Sequence, residues 1–397
     1  MLKEYPIYSA LCRSIFFLFP LIFILPQQFS RNLYQSTPFW IVISLGIALL
    51  PAAYKSIKKT GFRKVTIFFV AYLISLGLAT LFSTDISTSL PILVLNSAYF
   101  IIFLTSGEIL SSLKAKEIFV SVFLVICALL SVISFYNTYI QGYIDITSEG
   151  LSFMWGYFGH NHVAVLLIAA IPLCVYFLLF SKRWIKLGFG LLLVFFLYSF
   201  LISFSRAAIL ALSSSLVFGG IVFYKDYFRK TNIGAAIVIG LVTTVLLSSL
   251  LLVLNIKSTR SIYIRTFHLQ KGVEMFFQKP IIGFGPGTFG EAKVQTQFTR
   301  QTSFYVHNLL VQNLAEGGII LLTATVIFYS VLIVNLSETV KTVSNHKNKY
   351  FSMALWIGVV GILINEMMDF DLQLPAIGVL FWMMAGLICF SKTNGKT

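Results

Sequence analysis

Apolar residues recur along this chain in long runs that short polar segments interrupt. Runs of about 17 to 25 residues can cross a hydrocarbon core of about 30 Å as helices. The pattern predicts an all-α integral membrane protein with about twelve transmembrane helices. The predicted spans lie near residues 9–26, 38–54, 65–83, 91–110, 117–136, 161–180, 187–204, 207–224, 233–256, 307–334, 351–368 and 376–390.

The first run starts close to Met1 and lacks a small-residue cleavage site, so we expect it to be retained as a span. Composition agrees with a membrane location, since 58% of the residues are hydrophobic, 11% are charged and the mean hydropathy is +0.89. The four cysteines fall inside the apolar runs, where thiols usually pack as small hydrophobic groups, and they give no redox or metal signal.

Basic residues of the short connections predict the orientation of the bundle. They fall on the face that carries the N-terminus, which the positive-inside rule makes cytoplasmic. With twelve spans, both termini are expected in the cytoplasm. The net charge of +15 therefore reflects membrane topology, and no nucleic-acid partner is indicated. The residues concerned are Lys55, Lys58, Lys59, Arg63, Lys64, Lys114, Lys116, Lys182, Arg183, Lys186, Lys225, Arg229, Lys230, Lys341, Lys347, Lys349, Lys392 and Lys396.

The opposite face is expected to bind an anion, because it carries a smaller group of cations concentrated in one long loop at about 257–304. Loops of that length inside a compact bundle are usually functional. A helix lying on the surface is predicted in it, ending at Pro280 and followed by a Gly-Pro turn. The cations of this face are Arg31, Arg206, Lys257, Arg260, Arg265, Lys271, Lys279, Lys293 and Arg300.

The loop segment "GFGPGTF" at 283–289 has the glycines of a phosphate-binding loop but not its following Lys-Ser or Lys-Thr. A tight turn whose glycines take positive φ is favoured over direct contact with a ligand.

Two short stretches at predicted helix starts carry candidate chemistry. In "SFSRAAILAL", Arg206 either marks the membrane interface or faces a lipid-borne diphosphate. In "WGYFGHNHVAV", His160, Asn161 and His162 are spaced unsuitably for a helical metal pair, so we expect them to cap the helix and line an external vestibule.

The stretch "SFYVHNLLVQNLAEGG" at 303–318 places His307 at the start of an apolar run. An imidazole, whose ordinary pKa is about 6.5, can exchange protons there. Asn308, Gln312 and Glu316 repeat every four residues and form a polar stripe, which predicts contact with other helices. For Glu316, a structural tie and a direct role remain equally open.

Taken in order, "GHNHVAVLLIAAIPL", "SRAAILAL", an arginine fifteen residues before "PIIGFGPGTF", "HNLLVQNLAEGGII" and "DFDLQLPAIGVLFWMMAGL" resemble the O-antigen ligase and polymerase superfamily. The resemblance spans roughly residues 155–390. It implies a membrane domain at 151–397, including the periplasmic loop 257–304, preceded by N-terminal transmembrane helices at 1–150. Ala207 stands where many relatives have glycine, and "GHNH" lacks a proline often found before the asparagine.

What the resemblance implies is a glycosyltransferase of the bacterial inner membrane that acts on its periplasmic side. Members move a glycan from undecaprenyl diphosphate to an acceptor hydroxyl, which belongs to the lipid A core in the ligases and to another lipid-linked unit in the polymerases. The implied catalytic residues are His307, Arg265 and Arg206. Our predicted substrate-binding residues are those two arginines together with Asn308, His160, Asn161, His162 and Lys271. Membrane lipids surround the bundle.

Inverting transfer without metal or cofactor is expected, because two arginines can stabilise a diphosphate leaving group and His307 can take the acceptor proton. A ligase is favoured over a polymerase. We expect no further external domain after Thr397, which disfavours a protein acceptor. A lipid-linked sugar transporter is the less favoured alternative, because no repeat of the His307 region is found in the first half of the chain.

Overall fold

A computed structural model of the protein describes residues 12, 14–25, 33–61, 63–139, 152–154, 158–203, 205–227, 260–292 and 305–390. The predicted span near 233–256 lies outside these residues. Each of the other predicted spans coincides with a described helical segment.

The described α-helices are α1 (Thr37–Thr60), α2 (Lys64–Leu81), α3 (Ile86–Ile109), α4 (Leu113–Tyr139), α5 (His160–Phe180), α6 (Arg183–Ile202), α7 (Arg206–Tyr227), α8 (Arg260–Gln278), α9 (Leu309–Thr342), α10 (His346–Asn365) and α11 (Pro375–Cys389). Strands β1 (Ser152–Met154) and β2 (Phe158–Gly159) form an antiparallel hairpin directly before α5. Short 3-10 turns lie at Phe19–Ile24, Leu33–Gln35, Phe289–Ala292 and Asp371–Gln373.

Among the described residues, eight helices are long and apolar enough to cross a membrane, namely α1 to α7 and α9. Two shorter apolar helices, Ser14–Ile24 and Pro375–Cys389, accompany them, whereas α10 falls outside both sets. The prediction of an all-α integral membrane protein is confirmed, and the small β-hairpin is its one addition within the described part.

Helix α11 forms the centre of the bundle. All of its residues from Pro375 to Cys389 are buried, as expected for a helix that is apolar on every side. It packs mainly on α3 and α10. Aromatic rings fill the space around it, with the rings of Phe69 and Trp382 at 4.6 Å and those of Phe69 and Phe328 also at 4.6 Å.

Basic side chains meet at one end of the bundle. Arg63 and Lys116 donate hydrogen bonds to the last carbonyls of α11, where the helix dipole favours cations. Lys347, at the start of α10, pairs with Glu117 at the start of α4, with an N–O distance of 2.7 Å. Three connections that carry basic residues therefore lie at the same end of the bundle, as the loop pattern predicts. The cytoplasmic location of that end remains a prediction.

Helix α9 is broken at Gly318, where φ is 62° and ψ is −163°. The loop that follows α8 supplies partners for the backbone groups freed by the break. Gly285 N donates to Glu316 O at 2.7 Å, and Ile319 N donates to Pro280 O at 2.9 Å. Irregular backbone is tolerated in a membrane protein only where such partners exist. The loop is therefore part of the helix's hydrogen bonding.

The glycines of this loop take the backbone conformation that the sequence predicts for a turn. Gly283, Gly285 and Gly287 all have positive φ, at 74°, 111° and 78°. On its other side the loop contacts the connection between α2 and α3, where Thr84 N donates to Phe284 O at 2.8 Å and Ser89 Oγ donates to Pro286 O at 2.7 Å. The interpretation of "GFGPGTF" as a structural turn is confirmed.

Substitution of Gly283 by alanine tests this docking. A Cβ at residue 283 would lie 2.4 Å from the carbonyl carbon of Glu316, on a backbone with positive φ. We expect Gly283→Ala to destabilise the protein by about 2 kcal/mol or more, since strain and clash add. Thermal unfolding in detergent measures it. The matched control is Gly188→Ala in α6, where the added Cβ meets no atom within 4 Å. An unchanged melting temperature for Gly283→Ala would show that the loop is not docked in this way.

Candidate active site

The backbone at His307 is unusual. Its φ of 61° is the one positive value outside glycine among the described residues. Such a conformation is strained and persists only where surrounding contacts fix it. Asn308, the N-cap of α9, provides these contacts. Its Oδ1 accepts from Val311 N at 3.0 Å, and its Nδ2 donates to Met367 O at 2.7 Å.

The carboxylate of Asp369 joins the two principal candidates. One oxygen, Oδ1, lies 3.0 Å from His307 Nδ1, and the other, Oδ2, lies 3.3 Å from Arg265 Nη2. Asp369 follows α10, Arg265 belongs to α8 and His307 precedes α9. Three separate parts of the chain therefore meet at one carboxylate, of which only 2% is exposed.

Asp369 is ionised in this arrangement. Burial by itself raises the pKa of a carboxyl, but the hydrogen bond from His307 and the charges of His307 and Arg265 outweigh burial and hold the pKa of Asp369 well below its usual range. An ionised carboxylate at Nδ1 keeps the proton of the neutral imidazole on that nitrogen, so the lone pair lies on Nε2.

A second buried pair supports the first. His162 Nδ1 lies 2.5 Å from Asp371 Oδ1, and Asn365 Nδ2 donates to Asp371 Oδ2 at 2.6 Å. Phe370, between the two aspartates, contacts both histidines: its ring lies 5.6 Å from that of His162 and 4.9 Å from that of His307. His162 is buried here, so the prediction that it lines an external vestibule is wrong.

A further histidine lies against His307. The rings of His268, on α8, and His307 are almost parallel, with an interplanar angle of 11° and centroids 5.7 Å apart. Burial, and next the neighbouring His307, lower the pKa of His268 to about 4. His268 is therefore uncharged at neutral pH.

The remaining candidates are placed as follows by the described part of the chain. Arg206 is half-exposed in the first turn of α7, and no hydrogen bond or ion pair joins it to His307 or Asp369 within the described part of the chain. Lys271 pairs instead with Glu274, at an N–O distance of 2.6 Å. Asn161 is half-buried at the start of α5, and the side chain of His160 lies outside the description.

Glu316 ties the first part of α9 to the loop. Its Oε1 accepts from Phe289 N at 3.1 Å and from Gln312 Nε2 at 2.6 Å. Gln312 Oε1 in turn accepts from Val306 N at 2.6 Å. The sequence predicts other helices as the partners of this polar stripe, and that prediction is wrong. Among the described residues, the hydrogen-bond partners are backbone groups outside α9 and the stripe residues themselves, because the loop docks where a neighbouring helix was expected.

Residues 191–326 match the family described as O-antigen ligase. This match covers part of the chain and supports the resemblance to the O-antigen ligase and polymerase superfamily. No curated protein sequence and no solved structure matches it.

The matched family implies a glycosyltransferase-like activity in O-antigen and lipopolysaccharide biosynthesis, and the apolar helices agree with a multi-pass membrane protein. The matched segment runs from α6 into α9 and contains Arg206, Arg265 and His307. Asp369, which holds two of these three residues, lies beyond its end.

Sequence reasoning missed Asp369, Asp371 and His268. The segment "NEMMDFD" at 365–371 places three carboxylates at the end of an apolar run, and such groups are costly near a membrane unless they have partners. The free-energy cost of placing carboxylates near a membrane was therefore the sequence signal that could have identified Asp369 and Asp371. His268 had no comparable signal, because its role depends on stacking between helices distant in sequence.

Substitutions at Glu316 separate a structural tie from a direct role. Glu316→Gln keeps a carbonyl oxygen for the Phe289 amide, so stability is expected to change by no more than about 1 kcal/mol with most activity retained. Glu316→Leu leaves the Phe289 amide and the Gln312 side chain without this acceptor and is expected to cost about 2 to 4 kcal/mol. Thermal unfolding and glycan transfer are the measurements. Glu338→Leu, at an exposed position of α9, is the control. A stable but inactive Gln variant would indicate proton chemistry instead.

Proposed function

We propose that this enzyme is an O-antigen ligase, which transfers a glycan from undecaprenyl diphosphate to a hydroxyl of the lipid A core. The observation that carries this proposal is the joining of His307 and Arg265 through the carboxylate of Asp369. A base and a cation held together are the two groups that transfer from a diphosphate requires. The reaction takes place at the periplasmic end of the bundle, and both chain termini lie in the cytoplasm.

His307 acts as the general base. With its Nδ1 proton held by Asp369, Nε2 accepts the proton of the acceptor hydroxyl as the hydroxyl oxygen attacks the anomeric carbon. The bond between that carbon and the diphosphate oxygen breaks, and its electron pair leaves with undecaprenyl diphosphate. A single displacement inverts the anomeric configuration. The imidazolium that forms is stabilised by the adjacent Asp369 carboxylate.

Arg265 stabilises the leaving group. Its side chain is 30% exposed, and one of its nitrogens already contacts Asp369, so the guanidinium is oriented and has further N–H groups to offer to a ligand. Charge-assisted hydrogen bonds to the diphosphate oxygens strengthen as the glycosidic bond breaks. Because arginines supply this charge, the reaction proceeds without a metal ion or other cofactor.

Arg206 binds the same diphosphate from α7. A cation in the first turn of a helix is disfavoured by the helix dipole, so its place there is better explained by an anion that approaches from outside. Lys271, His160 and Asn161 contribute at the edge of the substrate site. Asn308 and His162 act indirectly, because their polar atoms hold the turn and the aspartate behind His307.

The catalytic groups all fall in residues 151–397, which form the ligase-like membrane domain. Residues 1–150 form the frame beside it. Helix α3 packs on α11 and α2 packs on α9, so the N-terminal helices support the two elements that flank the site.

One incubation distinguishes the ligase from a polymerase of the same superfamily. Purified protein is mixed with undecaprenyl-diphosphate-linked glycan, either with core lipid A or with no second acceptor. We expect a glycosylated lipid A product only when core lipid A is present, because the ligase has no other acceptor hydroxyl. Gel electrophoresis with mass spectrometry identifies the product. Growth of the lipid-linked glycan without core lipid A would establish the polymerase, and movement of donor across proteoliposomes with no new glycosidic bond would establish a transporter.

Two substitutions test the base. His307→Ala is expected to reduce transfer by about 10² to 10⁴ while donor binding persists, which is the contribution of a general base. Asp369→Asn is expected to cause a similar loss, because an amide in this position can donate to Nδ1 and place the imidazole proton on Nε2.

Turnover and donor binding are measured on the same preparations. Glu338→Gln is the control, since this carboxylate lies at an exposed position of α9 and outside the proposed site. If His307→Ala kept more than about a tenth of wild-type turnover, the loss would be too small for a base.

A further inference from the structure

His268 carries a buried nitrogen that the mechanism above does not use. The side chain lies on α8, one turn after Arg265, and only 3% of the residue is exposed. Its ring stacks on that of His307. Within the part of the chain that the structure describes, its Nδ1 is buried and has no hydrogen-bond partner.

An unpaired buried nitrogen carries a cost that a different side chain would avoid. A polar atom that loses water without gaining a partner destabilises the fold. The ring of Phe289 lies 6.1 Å from that of His268, so the surroundings are suitable for an aromatic ring without nitrogen. Phenylalanine at this position would keep the stacking and remove the cost. The nitrogen is therefore expected to serve a state other than the substrate-free one.

We propose that His268 is a substrate-binding residue whose Nδ1 forms a hydrogen bond with a hydroxyl of the acceptor, next to the hydroxyl that His307 deprotonates. This inference rests on the proposed function, because it assigns an acceptor to the same site. His307 contacts the reacting hydroxyl in the proposed mechanism, and His268, whose ring stacks on that of His307, has a nitrogen without a partner for a neighbouring hydroxyl.

The charge of His268 favours a hydroxyl over the diphosphate. With a pKa of about 4, the imidazole is neutral in the pH range where His307 works as a base. A neutral imidazole offers one donor and one acceptor, which matches a sugar hydroxyl that can also do both. The diphosphate is better served by Arg265, whose charge is permanent. A neutral partner also spares the His307 imidazolium a second positive charge at 5.7 Å.

The packing of α8 allows this nitrogen to become accessible. Helix α8 and the start of α9 share a small core of Met275, Phe289, Val306 and Ala315, which is separate from the main core of the bundle. Units with few buried apolar contacts open at lower free energy than the rest of a protein. A local opening of this small core gives the acceptor a route to Nδ1 without repacking of the main core, and it does not require α8 to leave Asp369.

The test compares His268→Phe and His268→Gln with the wild type, using full-length protein, undecaprenyl-diphosphate-linked glycan and core lipid A. His268→Phe is expected to raise the melting temperature by about 2 °C, because the unpaired nitrogen is removed. The same variant is expected to lower kcat/KM for core lipid A about tenfold or more, since one hydrogen bond is lost, with KM for the donor unchanged. His268→Gln, whose amide can donate and accept, is expected to recover at least about threefold of that loss.

Val273→Ala, at an exposed position of α8, is the matched control and should behave as the wild type in both measurements. The proposal is overturned if His268→Phe keeps wild-type kcat/KM for core lipid A, or if donor and acceptor parameters fall together with the melting temperature. Failure of the proposed function looks different. In that case the wild type transfers no glycan to core lipid A, or His307→Ala transfers as much as the wild type.

Discussion

The site depends on the hydrogen bonds that the loop after α8 makes to the broken helix α9. At Gly318 the helix releases backbone groups that water cannot satisfy inside a membrane bundle, and residues 280–285 of the loop satisfy them. This docking fixes the end of α8 against the start of α9. Arg265 and His268 are carried by α8, and His307 lies just before α9, so the same backbone contacts bring the chemical groups together.

The buried carboxylate of Asp369 positions the side chains of the site. Asp369 and Asp371 are both buried and are separated by one residue, yet their environments differ. Asp369 faces His307 and Arg265, which keep its pKa low, whereas burial dominates at Asp371 and raises its pKa despite His162. Asp369 is thus the more acidic of the two and is ionised beside His307, while Asp371 holds His162. Phe370 separates the two pairs, so each histidine keeps its own aspartate.

Hydropathy predicted the helices because crossing a membrane is a constraint on each segment by itself. It could not predict the break at Gly318 or the partners of Glu316, since those depend on a loop about thirty residues earlier in the chain. The family resemblance pointed to His307 and Arg265, and the structure brings them together. Asp369 lies in the motif "DFDLQLPAIGVLFWMMAGL", but the sequence assigned no role to it. Only the folded chain shows that its two oxygens face His307 and Arg265.

The polar residues at the start of α9 have different roles. Asn308 caps the helix and holds the turn after α10, while Gln312 and Glu316 connect the residues before the helix to the loop. These three side chains are occupied by backbone groups or by each other, so their polarity is explained by structure. His307 differs from them: its backbone is strained, its side chain faces a buried anion, and its position depends on contacts made by its neighbours. A strained backbone held in this way favours the hypothesis that His307 is kept for chemistry at the expense of stability.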